Sequence, residues 1–269
     1  MKKSCTITPT HFSKFKYAYD LLKSFNEFVE SDNDLYLIFT SELEYEAFDK
    51  NLIKFFTPIF LCKSLRKSLK NEESIVNVKK FDALKQLCGK YEYYGVFDCD
   101  TLFVKKCNPH NIYEEIGSKN NIKSNTSTRG AAILKKCSKF LNLSNNETLI
   151  KETKNFSVYW WFNEIPVYKN DLFLEFYNWY INHENIHILR NEYYAFDFLI
   201  YGIWLICFKN YKIKNYDLPF ECDFGAVEDV NLTQSQRDFV NKTFESSWST
   251  DKININKYDK AKISFHIDR

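Results

Sequence analysis

The chain has 269 residues, 45% of them hydrophobic and 27% charged, with a formal net charge of +2. That length suits one large α/β domain, and the hydrophobic content supports a real core and excludes global disorder. A charge so near zero provides no global field for nucleic acid or an acidic membrane, so nucleic acid is not an expected partner.

Lysine clusters at Lys63–Lys70, with Arg66, and at Lys135–Lys139 read as solvated helix faces, which leaves at most a peripheral membrane contact. Eight cysteines are scattered without a CxxC pair or zinc-finger spacing. The start, Met1-Lys2-Lys3, turns polar at Ser4, Thr6, Thr8 and Thr10, so no apolar leader core follows. No run approaches the ~20 apolar residues that span a bilayer. These features set the expectation of a cytoplasmic chain with reduced thiols. The 18% aromatic content has two explanations, a compositional bias that raises Lys, Asn, Phe, Ile and Tyr together, or rings that line a sugar site.

In chain order, Ser4–Thr8 alternates like a strand and ends in a turn at Pro9-Thr10. Ser13–Glu30 repeats apolar residues at Phe15, Ala18, Tyr19, Leu22 and Phe25, a helical face. Leu35–Phe39 reads as a second strand. Ser41–Lys50 opens as a helix, with Ser41 as cap and Glu44 three residues on. Short apolar pieces follow at Pro58–Cys62 and Ile75–Val78, then a helix Lys79–Cys88 closed by Gly89. Alternating strands and helices at this spacing predict a mostly parallel α/β sheet.

The central stretch is Tyr93-Tyr94-Gly95-Val96-Phe97-Asp98-Cys99-Asp100-Thr101-Leu102-Phe103-Val104. Its first half is a short buried strand that delivers Asp98 and Asp100 to a sheet edge, where open α/β sheets place their ligands. Two carboxylates there are costly to bury unpaired. A divalent cation with oxygen ligands relieves that cost and can clamp a nucleotide's phosphates.

Beyond it, Asn120–Gly130 reads as a loop able to close over a substrate, and Ala131–Leu143 as a helix. Phe156–Tyr168 mixes aromatic rings with Asn163 and Glu164, which suits sugar recognition or the edge of a core; Asn163 and Glu164 are the candidate acceptor contacts. A helix Asp171–Ile181 precedes His183-Glu184-Asn185-Ile186-His187, literally HExxH. Zinc hydrolysis needs both histidines one turn apart on a helix, whereas this motif sits where the helical pattern runs out and reads as an exposed helix end. Asn191–Phe208 is strongly helical and contains Asp197 between two phenylalanines. A carboxylate in such surroundings can serve as a general base or as a structural hydrogen-bond partner, with Glu192 and Glu164 in reserve. Leu218–Val227 reads as a loop with a short strand, and the chain closes on an alternating run that includes His266 and Asp268.

The Asp98-Cys99-Asp100 stretch resembles the DxD motif of GT-A-type glycosyltransferases. Upstream, Val78-Lys79-Lys80-Phe81-Asp82-Ala83-Leu84 and Lys90-Tyr91-Glu92-Tyr93 resemble the helix-then-strand lead-in of bacterial capsule and lipooligosaccharide sugar transferases. The resemblance covers most of the chain and is clearest over residues 1–105. It implies a single GT-A-like domain over 1–269, a Rossmann-like sheet with a C-terminal helical and loop-rich region. Residues 1–105 would be the nucleotide-sugar half and 106–269 the acceptor half. It implies a nucleoside-diphosphate sugar donor, a carbohydrate acceptor that can be lipid-linked, and Mn²⁺ or Mg²⁺ on Asp98, Asp100 and the late His266, with Asp268 as an alternative ligand. Thr8, Pro9 and Thr10, together with Lys80, Phe97 and Asp98, would hold the nucleotide, although an ordinary turn and a solvated lysine remain open for the first four. Asp197 or Glu164 would be the base if the transfer inverts configuration. Two rivals stand beside this reading, a zinc hydrolase on residues 183–187 and a non-catalytic sugar-binding protein. A sugar nucleotidyltransferase is disfavoured because no Gly-rich phosphate loop lies near the N-terminus.

Overall fold

A computed structural model describes residues 2–30, 32–70, 75–103, 106–123, 128–157, 166–214, 221–224 and 262–266. Strand β1 (Lys2–Pro9) leads through a single 3-10 turn into helix α1 (Phe15–Phe28), then β2 (Asp34–Phe39), α2 (Glu42–Glu46), β3 (Thr57–Phe60) and α3 (Lys63–Ser68). Helix α4 (Ile75–Leu87) returns the chain to β4 (Tyr91–Val96), which turns at once into β5 (Thr101–Phe103). Next come α5 (Pro109–Gly117), β6 (Asn121–Lys123), α6 (Thr128–Phe140), α7 (Glu147–Glu152), β7 (Val167–Lys169), α8 (Asn170–Ile181), α9 (Ile186–Asn191) and α10 (Asp197–Lys209). Short strands β8 (Lys212–Lys214), β9 (Glu221–Phe224) and β10 (Lys262–His266) follow, and a 3-10 helix, Lys50–Phe55, lies between α2 and β3.

The main sheet has the order β3-β2-β1-β4-β7, parallel except for the antiparallel edge strand β7. The expected mostly parallel α/β architecture is therefore present. Strand β1 is central because both of its faces are apolar or hydrogen-bonded. Cys5 and Ile7 enter one core with α4, α8 and α10, while Thr6 on the other face bonds the Tyr113 hydroxyl at 2.6 Å. From β1 the chain steps sideways to β2 and β3, and α4 then carries it back to β4 on the opposite side of β1. That reversal opens a crevice at the carboxyl ends of β1 and β4, where the register pairs Ile7 with Val96.

Helix α4 is the element that faces this crevice, and its anchoring is aromatic. Phe81 is buried among the rings of Phe173, Phe176 and Tyr180, with centroids 4.9–6.3 Å away. Burial of one such ring contributes about 1.5–3 kcal/mol. The helix stops at Gly89, whose φ of +84° is the left-handed conformation that ends helices. Gly95 has a different role. A Cβ there would lie 2.1 Å from Cζ of Tyr113, so only glycine lets α5 close onto β4.

The structure departs from the sequence reading at several elements, four of which are informative. Ile75–Val78 is the first turn of α4 rather than a separate piece, because Val78 joins Phe81 on the buried side of the same helix. The polar stretch after residue 107 holds α5, started by the Asn108 side chain and Pro109 and buried through Ile112, Tyr113 and Ile116. The loop expected over Asn120–Gly130 begins with β6, which pairs in parallel with β8, and gives way to α6 at Thr128. The helix expected over Asn191–Phe208 is broken, since α9 ends at Asn191 and α10 starts only at Asp197.

Candidate functional site

The two aspartates sit in the turn between β4 and β5. Phe97 carries the strand one residue past β4 by donating its N–H to the Ile7 carbonyl at 3.0 Å. Its ring is buried against Phe103 and Tyr113, so it anchors the turn from the core side. Thr101 N–H closes the turn on the Asp98 carbonyl at 3.1 Å. Asp98 is a quarter exposed and Asp100 is buried.

Each aspartate meets a lysine. Lys80 of α4 reaches Asp98 Oδ1 at 2.9 Å and Asp197 Oδ1 at 3.1 Å. Lys14, from the turn before α1, lies 3.4 Å from Asp100 Oδ2. Burial works against the Lys80 ammonium, but Asp197 and then Asp98 outweigh it, and its pKa is raised. Lys14 follows the same pattern, with Asp100 as its main support. Cys99, buried between the aspartates, has its thiol pKa pushed well up, by burial first and then by Asp100 and Asp98. A thiol so held is not a nucleophile.

Asp197 begins α10 and is fully buried. Besides Lys80 on Oδ1, it accepts the Tyr168 hydroxyl on Oδ2 at 2.5 Å. Burial and the Asp197 charge push the Tyr168 phenol far up, so it stays a donor. Asn77 of α4 accepts from the Asp197 N–H at 3.4 Å and donates to the Tyr193 carbonyl at 3.3 Å, which fixes the break between α9 and α10.

On the other side of the crevice, Lys79 points to the ends of β1 and β2. Successive helix residues diverge by about 100°, so neighbouring lysines serve different strands. Lys79 donates to the Thr10 carbonyl at 2.5 Å and lies 3.5 Å from Glu44 Oε2. Glu44 in turn accepts from the backbone N–H groups of Phe12, at 3.1 Å, and of Thr40. Burial lowers the Lys79 pKa, with Glu44 only partly offsetting it.

The hydroxyls of Thr8, Thr10, Thr40 and Thr101 are buried and meet no partner among the described residues. Buried polar groups are nearly always satisfied, so four orphan hydroxyls at the carboxyl ends of β1 and β2 and beside Asp100 mark polar capacity left for a ligand or water. The hard oxygens of Asp98 and Asp100 are the donor type that Mn²⁺ and Mg²⁺ take, and these two residues could hold such an ion. Among the described residues no group of three or more His, Cys, Asp or Glu is placed to hold a metal ion. The register of β10 puts His266 opposite Thr101, the residue after Asp100.

No protein-family model matches the chain, and neither does any curated protein sequence. Solved structures do. The bifunctional glycosyltransferase WbbM in its apo form matches with TM-score 0.50 at 12% identity, over 100% of this chain and 46% of that one. The mannosyltransferase Ktr4p from S. cerevisiae matches with TM-score 0.46 at 11% identity, over 77% of this chain and 66% of that one. Mouse xyloside xylosyltransferase 1 matches with TM-score 0.47 at 12% identity, over 99% and 97%. The chain has a GT-A-like glycosyltransferase fold. It spans under half the length of WbbM and about two thirds of Ktr4p.

The structure joins Asp98, Lys80 and Asp197 in one network and pairs Asp100, in the same turn, with Lys14, with Thr8, Pro9 and Thr10 at the end of the neighbouring strand. Glu164, Asn163 and Asp268 lie outside the described residues, and of His266 only the backbone is described. Sequence reasoning missed Lys14, Glu44, Asn77, Lys79 and Tyr168 as members of the site. Only Glu44 carried a signal, its position three residues after a cap, and that signal pointed to a capping box rather than to a buried partner for lysine.

The HExxH segment is not the arrangement zinc chemistry needs. His183 lies in the turn after α8 with its Nε2 3.2 Å from the Leu141 carbonyl, while His187 lies on α9. Glu184 binds Asn142. No helix among the described residues is long and apolar enough to cross a membrane.

Proposed function

We propose that this protein is a glycosyltransferase that moves a sugar from a nucleoside-diphosphate donor to a carbohydrate hydroxyl. The observation that carries the reading is the position of Asp98 and Asp100 at the carboxyl edge of a parallel sheet, at the point where strand order reverses between β1 and β4. The GT-A-like fold supports it.

In this reading Thr8, Pro9 and Thr10 receive the nucleotide, with the orphan hydroxyls of Thr8 and Thr10 as hydrogen-bond partners. Asp98 and Asp100, with His266, would hold Mn²⁺ or Mg²⁺, which when bound neutralises charge developing on the departing diphosphate. Phe97 fixes the turn from the core. Lys80 holds Asp98 from the protein side, and Asp197 holds Lys80. With both oxygens engaged, Asp197 is better suited to that positioning role than to proton abstraction, which leaves Glu164 as the candidate base for an inverting transfer. The resemblance of the DxD region to capsule and lipooligosaccharide transferases suggests bacterial surface polysaccharide as the product, with a free or lipid-linked acceptor, assembled in the cytoplasm.

The test is release of nucleoside diphosphate from a panel of UDP- and GDP-sugars in the presence of Mn²⁺. Turnover of one donor, lost in Asp98→Asn, is the expected result. Absence of turnover with every donor, or turnover unaffected by Asp98→Asn, would overturn the proposal.

A further inference from the structure

The Lys79–Glu44 pair is almost completely buried, at 0% and 1% side-chain exposure, and it lies at the ends of β1 and β2 rather than in the aspartate turn. Full burial of an ion pair costs desolvation that its mutual attraction rarely exceeds, so such a pair is weak evidence for stability alone. Its hydrogen bonds indicate what else it does. Lys79 donates to the Thr10 carbonyl, and Glu44 accepts from the N–H groups of Phe12 and Thr40. These backbone groups belong to the two connections that leave the carboxyl ends of β1 and β2, which border the crevice. The Ser41 hydroxyl caps α2 by accepting from the Glu44 N–H at 3.3 Å, while the Glu44 carboxylate spans the two connections through the N–H groups of Phe12 and Thr40.

We infer that Lys79 and Glu44 form a buried clamp that fixes the β1 and β2 exit turns in the shape that receives the donor nucleotide, which makes them positioning residues that do not themselves touch substrate. The inference rests on the proposed donor site and adds to it two residues from outside the aspartate turn. Three features carry it. The clamp ties backbone, whose conformation sets where the Thr8, Thr10 and Thr40 hydroxyls lie. Those hydroxyls are buried without partners. Finally, α4 supplies both Lys79 and Lys80, so one rigid helix sets the β1 turn and the Asp98 turn relative to each other. Preorganisation of this kind lowers the cost of binding without adding a contact.

The test compares wild type with Lys79→Met/Glu44→Gln, which removes both charges together and leaves no lone buried ion. Calorimetric titration with UDP and with GDP, each with Mn²⁺, gives affinity, and amide hydrogen exchange reports Phe12 and Thr40 directly. Tyr91→Phe is the control for general destabilisation, because Tyr91 bonds Asp34 at the start of β2, away from the crevice. The double variant should bind the nucleotide at least ~10-fold more weakly, about 1.4 kcal/mol, with faster exchange at Phe12 and Thr40, while Tyr91→Phe keeps wild-type affinity. A double variant that binds as wild type does would overturn the clamp and leave the donor site standing. A wild-type chain that binds neither nucleotide would overturn the donor site and the clamp with it. Equal weakening by Tyr91→Phe would reduce the pair to a stability element.

Discussion

Removal of the Lys80 ammonium is the sharpest perturbation of the network. In Lys80→Met the stem keeps its volume, but Asp197 loses the partner 3.1 Å away while remaining fully buried. Asp98 also loses its partner at 2.9 Å, but its side chain is 23% exposed and water takes part of that role. The Tyr168 hydroxyl still donates to Asp197, so the carboxylate is left hydrogen-bonded but without a counter-charge. Removal of one member of a buried ion pair costs about 3–5 kcal/mol. At roughly 2–4 °C per kcal/mol for a chain of this size class, Tm should fall by about 6–20 °C. Asp197→Asn in the same background removes the stranded charge and keeps an acceptor for Tyr168, so it should restore most of the loss. Thermal denaturation of the four proteins in the cycle, at one pH and salt, measures both numbers. A single-variant cost below about 1 kcal/mol, or no recovery in the double variant, would show that Lys80 and Asp197 are not coupled through the buried pair.

Three further outcomes follow from the same geometry. The adjacent lysines should have opposite pH linkage. The raised pKa of Lys80 gives stability that is complete below its unfolded value of 10.5 and is lost as pH rises through the folded value. The lowered pKa of Lys79 gives a penalty that is relieved as pH rises from the folded value towards 10.5. Stability curves of Lys79→Met and Lys80→Met subtracted from wild type should therefore slope on opposite sides of 10.5, the Lys79 difference rising as pH approaches 10.5 from below and the Lys80 difference flat there and falling only above it. A Lys80 difference that falls below about pH 10, or a Lys79 difference that falls there, would contradict the assignments. Gly95→Ala should destabilise by about 1–3 kcal/mol through overpacking, because its Cβ would meet the Tyr113 ring, and Tyr113→Leu in that background should recover part of the loss in Tm. His183→Ala should leave the metal content of the purified protein unchanged, since its ring serves the Leu141 carbonyl; zinc present in wild type and lost in the variant would revive the hydrolase reading.

The frame of the fold was legible because periodicity is local. Phe15, Ala18, Leu22 and Phe25 announced α1, and the short aromatic run before Asp98 announced β4. What failed to show was set by tertiary packing. Asn191–Phe208 keeps a helical pattern throughout, yet the chain breaks between Asn191 and Asp197, where Asn77 binds both the Tyr193 carbonyl and the Asp197 N–H. Helix α5 was hidden because its cap, Asn108-Pro109, opens a polar, Asn-rich stretch that masks the buried face of Ile112, Tyr113 and Ile116. The site divided the same way. Asp98 and Asp100 stand out through their spacing, and Asp197 through its apolar neighbours. Lys79 and Tyr168 carry no mark in the sequence, since a buried lysine looks like a solvated one until the helix is packed, and the position of Glu44 marks only a capping box. Their partners are 35, 69 or 29 residues away along the chain.

The central claim, a nucleotide site completed by the aspartate turn, is tested most directly by thermal shift. Wild type and Asp100→Ala would be heated with UDP-, GDP- and CMP-linked nucleotides, each with and without Mn²⁺. A ligand that binds only the folded state raises Tm. The account predicts a rise in wild type with one nucleoside diphosphate, dependent on Mn²⁺ and lost in Asp100→Ala. No rise with any nucleotide, or a rise that survives in Asp100→Ala and needs no metal, would contradict it.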